Sequence, residues 1–507
     1  MSVPSVYDTI KAVIGPDGRL LRDVPLGKQP KPNELHFVAG AEDGIAAYHF
    51  GTGEVDKKTL DAIVKLLAAY RPGKKRTIKR LEAIVDEHKT LAIVNQLLKT
   101  IVSIDNRKTQ SRILSAGFNL AMTSADVELV KIGLSIMGLL DFGTVASICD
   151  DVAVLAAHDE LTLYAAEAAR HWTGGNDLVF RMAKSVDGWG KIHAVERLEP
   201  ATDEIRDWIL RHGCANEVLN SYLGLACAEK GDMIAALRQP DLDQELFESI
   251  GVIIDALLDE GSVEGISVYA HAVEALRLYV GHAKKQATTV TDLRRMLSLR
   301  GWAEENHSEE NQAIIEQCDS IIAGGPWEAR IKDAVNQHDR RTMGDAVDIA
   351  KKLGVDISSE LMDAIRTRPL DFSYRASQML TDPAYAPEVI ELYETVLPLE
   401  ALATGMGNDQ ISPTLFNENQ ALEWMLLELG HVPGQGTKLI LTGLNSRLIR
   451  TRNATCRALE AWVESENKPL QGISPQIAAE VSRVAGIEVN EKTRETMRRL
   501  INPDAAI

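Results

Sequence analysis

WGKIHAVERLEPATDEIRDWILRHG, residues 189–213, reads as two amphipathic helices joined by a short turn. In the first, Ile192, Val195 and Leu198 recur on one face with Ala194 beside them, while Lys191, Glu196 and Arg197 take the remaining face. That division is what a half-buried helix requires. Pro200 has no backbone donor and ends the first helix. Thr202 is placed to cap the second, and Asp203 and Glu204 suit its positive N-terminal end. Ile205, Trp208, Ile209 and His212 then mark a buried stripe that Gly213 stops. Neither helix can cover its apolar stripe alone, so the pair has to stack on neighbours.

Looser versions of the pair recur along the chain. A helix over 161–172 closes at Gly174–Gly175 and a shorter one follows over 177–186. Ala165 precedes Ala194 by a spacing within the range of a two-helix repeat. Residues 372–380 turn at Asp382–Pro383 and continue over 387–397, and 447–464 breaks near 468–472 and resumes over 475–484. A small Ala in mid-helix, a Pro or Asp turn and a second apolar helix resemble the HEAT-repeat family over roughly residues 57–500. The resemblance implies an all-α, HEAT-like α-solenoid of stacked antiparallel helix pairs. An ordinary multi-helix globule is the alternative.

Composition fits a packed helical protein. Of 507 residues, 45% are hydrophobic, 25% charged and 5% aromatic. The net charge of −18 makes this an acidic protein and disfavours nonspecific binding to nucleic acid or anionic membranes. Cys149, Cys214, Cys227, Cys318 and Cys456 contain no CxxC pair and read as reduced core thiols, which suits a cytoplasmic protein. The first 18 residues lack the apolar core of a signal peptide. Residues 132–149 are the most apolar run, but Asp141 and Gly143 interrupt it, so no membrane helix is expected.

Three segments follow. Residues 1–56 form a small irregular N-terminal cap, in which Pro4, Pro16, Pro25, Pro30 and Pro32 prevent long helices. Within it, residues 37–38 and 46–50 could be short strands or one short helix. Residues 57–403 form a helical-repeat array, with helices expected over 215–230 and 264–280 among others. Residues 404–507 form a C-terminal helical-repeat segment, set off by an interior loop (404–417) that contains Gly405, Gly407 and Pro413. Residues 433–443 read as a second Gly-rich interruption.

Motifs for chemistry are sparse. GTGEVD (51–56), GMGNDQ (405–410) and GQGTKL (434–439) lack the third glycine and the βαβ setting of a dinucleotide loop, and read as turns. The 12 histidines include no HExxH, so no metal site is expected. No GxSxG elbow or cysteine–histidine signature marks a nucleophile. Two surfaces stand out instead. Glu204, Asp207 and Arg211 fall on the side of the second helix away from its apolar stripe; in HEAT-repeat proteins that side forms the groove that grips a protein or peptide partner. Arg71, Lys74, Lys75, Arg76, Lys79 and Arg80 form a basic run, read either as a patch for phosphate or an acidic partner or as the solvated start of a helix.

VAGAEDGIAAYHFG, residues 38–51, followed by helical repeats, resembles bacterial limonene hydroxylase. That resemblance implies an oxidoreductase, a monooxygenase acting on a small apolar terpene with NAD or NADP, although no cofactor motif is evident. Some HEAT-like proteins are alkylpurine DNA glycosylases, and the basic run is the feature that would fit a nucleic-acid function, against the acidic total. The leading expectation is a cytoplasmic repeat protein that binds a protein or peptide in its groove.

Overall fold

A computed structural model describes residues 3–27, 37–261, 263–410, 412 and 414–502, apart from the side chain of Arg341. Pro30, Pro32 and Pro413 lie outside the described residues. The chain is all-α: helices follow one another from Val6–Lys11 to Glu491–Ile501, and no β-strand occurs among the described residues. Packing divides it into two compact units, Met1–Ala287 with Arg295–Ala323, and Gly324–Ile507 with Thr288–Arg294.

The pair at 189–213 forms as its residues dictate. Helix Trp189–Arg197 ends before Pro200, and the Thr202 side chain accepts from the Ile205 amide at 3.2 Å. Helix Asp203–Trp208 continues as a wider π-type turn, Ile209–Gly213. Ile205 and Ile209 are buried and Trp208 is half-buried, packing edge-on against Phe180. Two details differ from expectation. His212 is exposed, beyond the end of the buried stripe. Lys191 is buried rather than solvated, because the face it shares is covered by other parts of the unit.

In the first unit every second helix packs on the next. Val127–Met137 touches Asp159–Ala169, which touches Trp189–Arg197, then Ser221–Lys230, then Gln244–Leu258. The helices between them, such as Ala146–Ala156 and Gly175–Ala183, pack against this inner row and against each other. Inner helices are enclosed almost all round. In Val127–Met137 nearly every residue is buried, and in Asp159–Ala169 the small Ala165, Ala166, Ala168 and Ala169 are all buried. Gly133 shows why small residues are needed: a Cβ there would lie 2.4 Å from the amide nitrogen of Ala121 on the helix Arg107–Thr123. In the second unit Ser373–Gln378, Phe416–Glu428, Ile449–Glu466 and Glu491–Ile501 are in successive contact, with one or two α-helices between each pair.

Several boundaries differ from the sequence reading. Residues 215–220 are a loop before helix Ser221–Lys230, because Asn216 and Asn220 turn their side chains onto the local backbone amides. Residues 264–271 are turns before Ala272–Gln286, held by the Glu260 carboxylate on the Ser267 amide. The interruption at 433–443 is shorter than expected, since Gly436 adopts a left-handed conformation and Thr437–Leu444 is helical. Residues 46–50 are helical, continuing Ala41–Ile45.

Arg452 anchors part of the second unit. Fully buried, it donates to Glu488 through Nε at 2.7 Å and Nη2 at 2.9 Å, and to the carbonyls of Ser446, Arg447 and Gly407. The Gly-rich loop is thereby tied to the helix Ile449–Glu466.

Candidate functional site

Residues 40–52 run as a strap across the inner helices of the first unit. Its first tie is ionic. Lys131, buried in a mostly apolar helix, donates to Asp43 at 2.7 Å, to Glu128 of the same helix at 2.9 Å and to Glu160 at 2.5 Å. The same carboxylates are used again: Glu160 accepts from the Gly40 amide, Glu128 from the Thr90 amide, and Asp43 from the Tyr164 hydroxyl. Burial lowers the Lys131 pKa, but the three acids more than offset it and hold the ammonium well above its usual range. Asp43 is pushed up by burial, which Lys131 only partly offsets; Glu160 is also pushed up by burial, but there Lys131 prevails and the net shift is downward.

Further along the strap, Gly44 lies against the Trp189 ring, and a Cβ would be 2.1 Å from Cε3, so only glycine fits. Tyr48 donates to Glu196, and His49 hydrogen-bonds the Tyr222 hydroxyl at 2.7 Å. Tyr48, Trp189 and Tyr222 pack together, with ring centroids 4.7 to 6.1 Å apart. The strap therefore contacts four consecutive inner helices.

Beneath it lies a cavity of about 510 Å³. Leu91, Val94 and Leu98 of helix Thr90–Val102, Leu139, and Leu163 and Ala168 of Asp159–Ala169 supply its apolar wall. Tyr48, Tyr164, Glu167, His193, Glu196 and Arg197 supply most of the polar wall. Arg197 is already engaged: Nε donates to Glu167 at 2.7 Å and Nη1 to the His193 carbonyl at 3.0 Å, with Glu196 3.6 Å away. Burial would raise the Glu167 pKa, but Arg197 outweighs it and keeps the carboxylate ionised. His193 is different. Its ring is 2% exposed, burial holds its pKa down to about 3, and its Nε2 has no hydrogen-bond partner among the described residues. A concave, mostly apolar site with a few convergent polar groups is the usual form of a small-molecule pocket.

A second cavity, of about 440 Å³, adjoins the start of the strap and is lined by Val38, Ala39, His158, Asp159, Glu160 and Trp189 among others. Asp159 accepts from the Gly190 amide at 2.6 Å, and burial raises its pKa to about 6.

The residues singled out from sequence lie elsewhere. Glu204 and Asp207 are exposed on helix Asp203–Trp208, Arg211 is half-buried in the turn after it, and none of the three lines either cavity. Arg211 donates to Asp207, Asp243 and Glu245. Arg71, Lys74, Lys75, Arg76, Lys79 and Arg80 are all exposed around the start of helix Lys75–His88. Among the described residues, no group of His, Cys, Asp and Glu could hold a metal ion, and no helix is long and apolar enough to cross a membrane.

Sequence reasoning missed Lys131, Asp43, Glu160 and His193. One signal was available for the first: Lys131 is the one basic residue in VELVKIGLSIM, a run too apolar to leave it solvated. His193 gives no such signal, because a histidine between Ile192 and Ala194 looks like any core histidine. No protein-family model matches the chain, and no curated protein matches it.

Proposed function

We propose that the first unit is a HEAT-like stack that binds a small, largely apolar molecule in the cavity beneath the 40–52 strap. The observation that carries this reading is a 510 Å³ cavity with aliphatic walls, closed on one side by a strap held through buried side chains. Residues 40–51 of the segment that resembles bacterial limonene hydroxylase belong to this strap, and Ala47 and Tyr48 of it line the cavity. That placement favours a second reading, a redox reaction on the bound molecule, for which turnover with NADH or NADPH is the test.

The expectation of a protein- or peptide-gripping groove at Glu204, Asp207 and Arg211 draws less support from the geometry. The Arg211 guanidinium, the strongest anchor type of the three, is already occupied by neighbouring carboxylates.

The neutral fluorophore N-phenyl-1-naphthylamine tests the binding reading. The full chain should take up one equivalent saturably with enhanced emission. Val94→Trp, which fills the cavity from its half-buried wall, should abolish uptake while leaving the helical circular dichroism unchanged. Unsaturable uptake, or uptake that Val94→Trp leaves intact, would refute a site in this cavity.

A further inference from the structure

We infer that the molecule held beneath the strap is electrically neutral and carries one hydroxyl group, which it donates to Nε2 of His193. The inference rests on the reading of that cavity as a binding site and specifies what the site selects.

Three observations converge on it. First, the Nε2 atom of His193 is buried and has no hydrogen-bond partner among the described residues, although His193 lines the cavity. A buried polar atom left unpaired is costly, and a ligand that pairs it gains accordingly. Second, the other ring nitrogen, Nδ1, faces the Glu196 carboxylate at 4.0 Å. Negative charge on that side favours the tautomer with its proton on Nδ1, which leaves Nε2 as a lone-pair acceptor. The matching ligand group is therefore a donor: a hydroxyl fits and a ketone does not.

Third, the charges around the cavity oppose an anion. Glu167 and Glu196 bring two carboxylates to the wall and Arg197 one guanidinium, which is committed to Glu167 and the His193 carbonyl. Glu196 also accepts the Tyr48 hydroxyl, and the Ser135 hydroxyl already donates to the Lys131 carbonyl. A carboxylate ligand would meet two wall carboxylates, while Arg197, the one Lys or Arg among the described lining residues, is already committed and His171 faces Glu167 at 3.6 Å. A cation would have to compete with Arg197 for its acids. The remaining wall is mostly apolar, from Leu91, Val94, Leu98, Leu139, Leu163 and Ala168, with the uncharged Thr52 and Asn95 and the exposed His171 at its rim.

Four probes built on one ring separate these points: cyclooctanol, cyclooctanone, cyclooctane and cyclooctanecarboxylate, each titrated against the fluorophore-loaded full chain. Cyclooctanol should displace the fluorophore about tenfold more tightly than the ketone or the hydrocarbon, and the carboxylate should be weakest. His193→Phe should remove the alcohol's advantage while leaving cyclooctane binding equal or tighter. The ranking of the four probes on the native chain needs no variant, so a poorly folding His193→Phe would not obscure it. A ketone or hydrocarbon that binds as well as the alcohol, a preference for the carboxylate, an alcohol that fails to displace bound fluorophore, or an alcohol preference that survives in His193→Phe would each overturn the inference and leave the cavity reading standing. Failure of the fluorophore to bind in a Val94-sensitive way would overturn the cavity reading itself, and this inference with it.

Discussion

Lys131 and Arg211 have the same ionic composition, one cation among three carboxylates, and opposite surroundings. Lys131 holds Asp43, Glu128 and Glu160 in the interior, under the strap that walls the cavity. Arg211 holds Asp207, Asp243 and Glu245 at the surface, where each acid side chain is more than half exposed. Coulomb attraction between unit charges is several-fold stronger where water is excluded, and so is the cost of leaving a charge unmatched. The interior cluster is therefore a structural joint between distant segments, and the surface cluster is a modest brace between two helix ends.

The largest expected effect comes from breaking the joint. Lys131→Met leaves three carboxylates, two backbone amides and the Tyr164 hydroxyl around an apolar side chain. Loss of one partner of a buried ionic group costs about 3–5 kcal/mol, and three stranded acids place this variant at the upper end. Urea unfolding at pH 7 should show that loss, and the deficit should shrink as the pH is lowered toward 4 and the acids take up protons. The strap should also loosen, with faster amide exchange over residues 40–50. A deficit below about 1 kcal/mol would mean that the cluster is as well solvated as the one at Arg211.

Asp159 is the intermediate case, a largely buried carboxyl with no cation partner among the described residues. Its pKa in the fold is raised to about 6, against an ordinary 3.8, mainly by burial. The folded chain then holds a proton that the unfolded chain has released, so stability falls as pH rises from about 4 to about 6 and stays lower above that window. Asp159→Asn keeps an oxygen that can accept from the Gly190 amide and removes the charge. It should stabilise the protein by about 3 kcal/mol at pH 7 and have little effect near pH 3.5, where the folded state is protonated and the unfolded state mostly so. An equal gain at both pH values would assign the effect to packing instead.

The helix pairs were legible from sequence because their causes are local. Ile192, Val195, Pro200, Thr202 and Ile205 act within one or two turns, and each does in the structure what its chemistry predicts. The joint was not legible, because Asp43 and Glu160 lie 88 and 29 residues from Lys131, and nothing local specifies which acids meet which base. Lys191 misled for a related reason. Alternation of polar and apolar residues predicts a solvated face, but the rest of the unit covers that face. Residues 38–51 were singled out by resemblance rather than by pattern. Gly40, Asp43, Gly44 and Tyr48 then find their reasons only in residues far along the chain.

Arg211 should show the smallest effect. Its guanidinium makes paired contacts to Asp243 at 2.8 and 2.7 Å and to Asp207 at 3.0 Å through both carboxylate oxygens, which is good geometry for a surface group. Hydrogen bonding to Arg211 holds the Asp243 pKa below the usual range, but water and salt reach that acid freely. Arg211→Gln should therefore cost less than about 1 kcal/mol, and the difference should fade in 0.5 M salt, where screening shortens to about 4 Å. The Lys131→Met deficit should change little in the same salt, since counterions do not reach it. If Arg211→Gln costs as much as Lys131→Met and resists salt, exposure is not what distinguishes the two clusters, and the surface around Arg211 is covered by something in solution, as the groove reading of this helix requires.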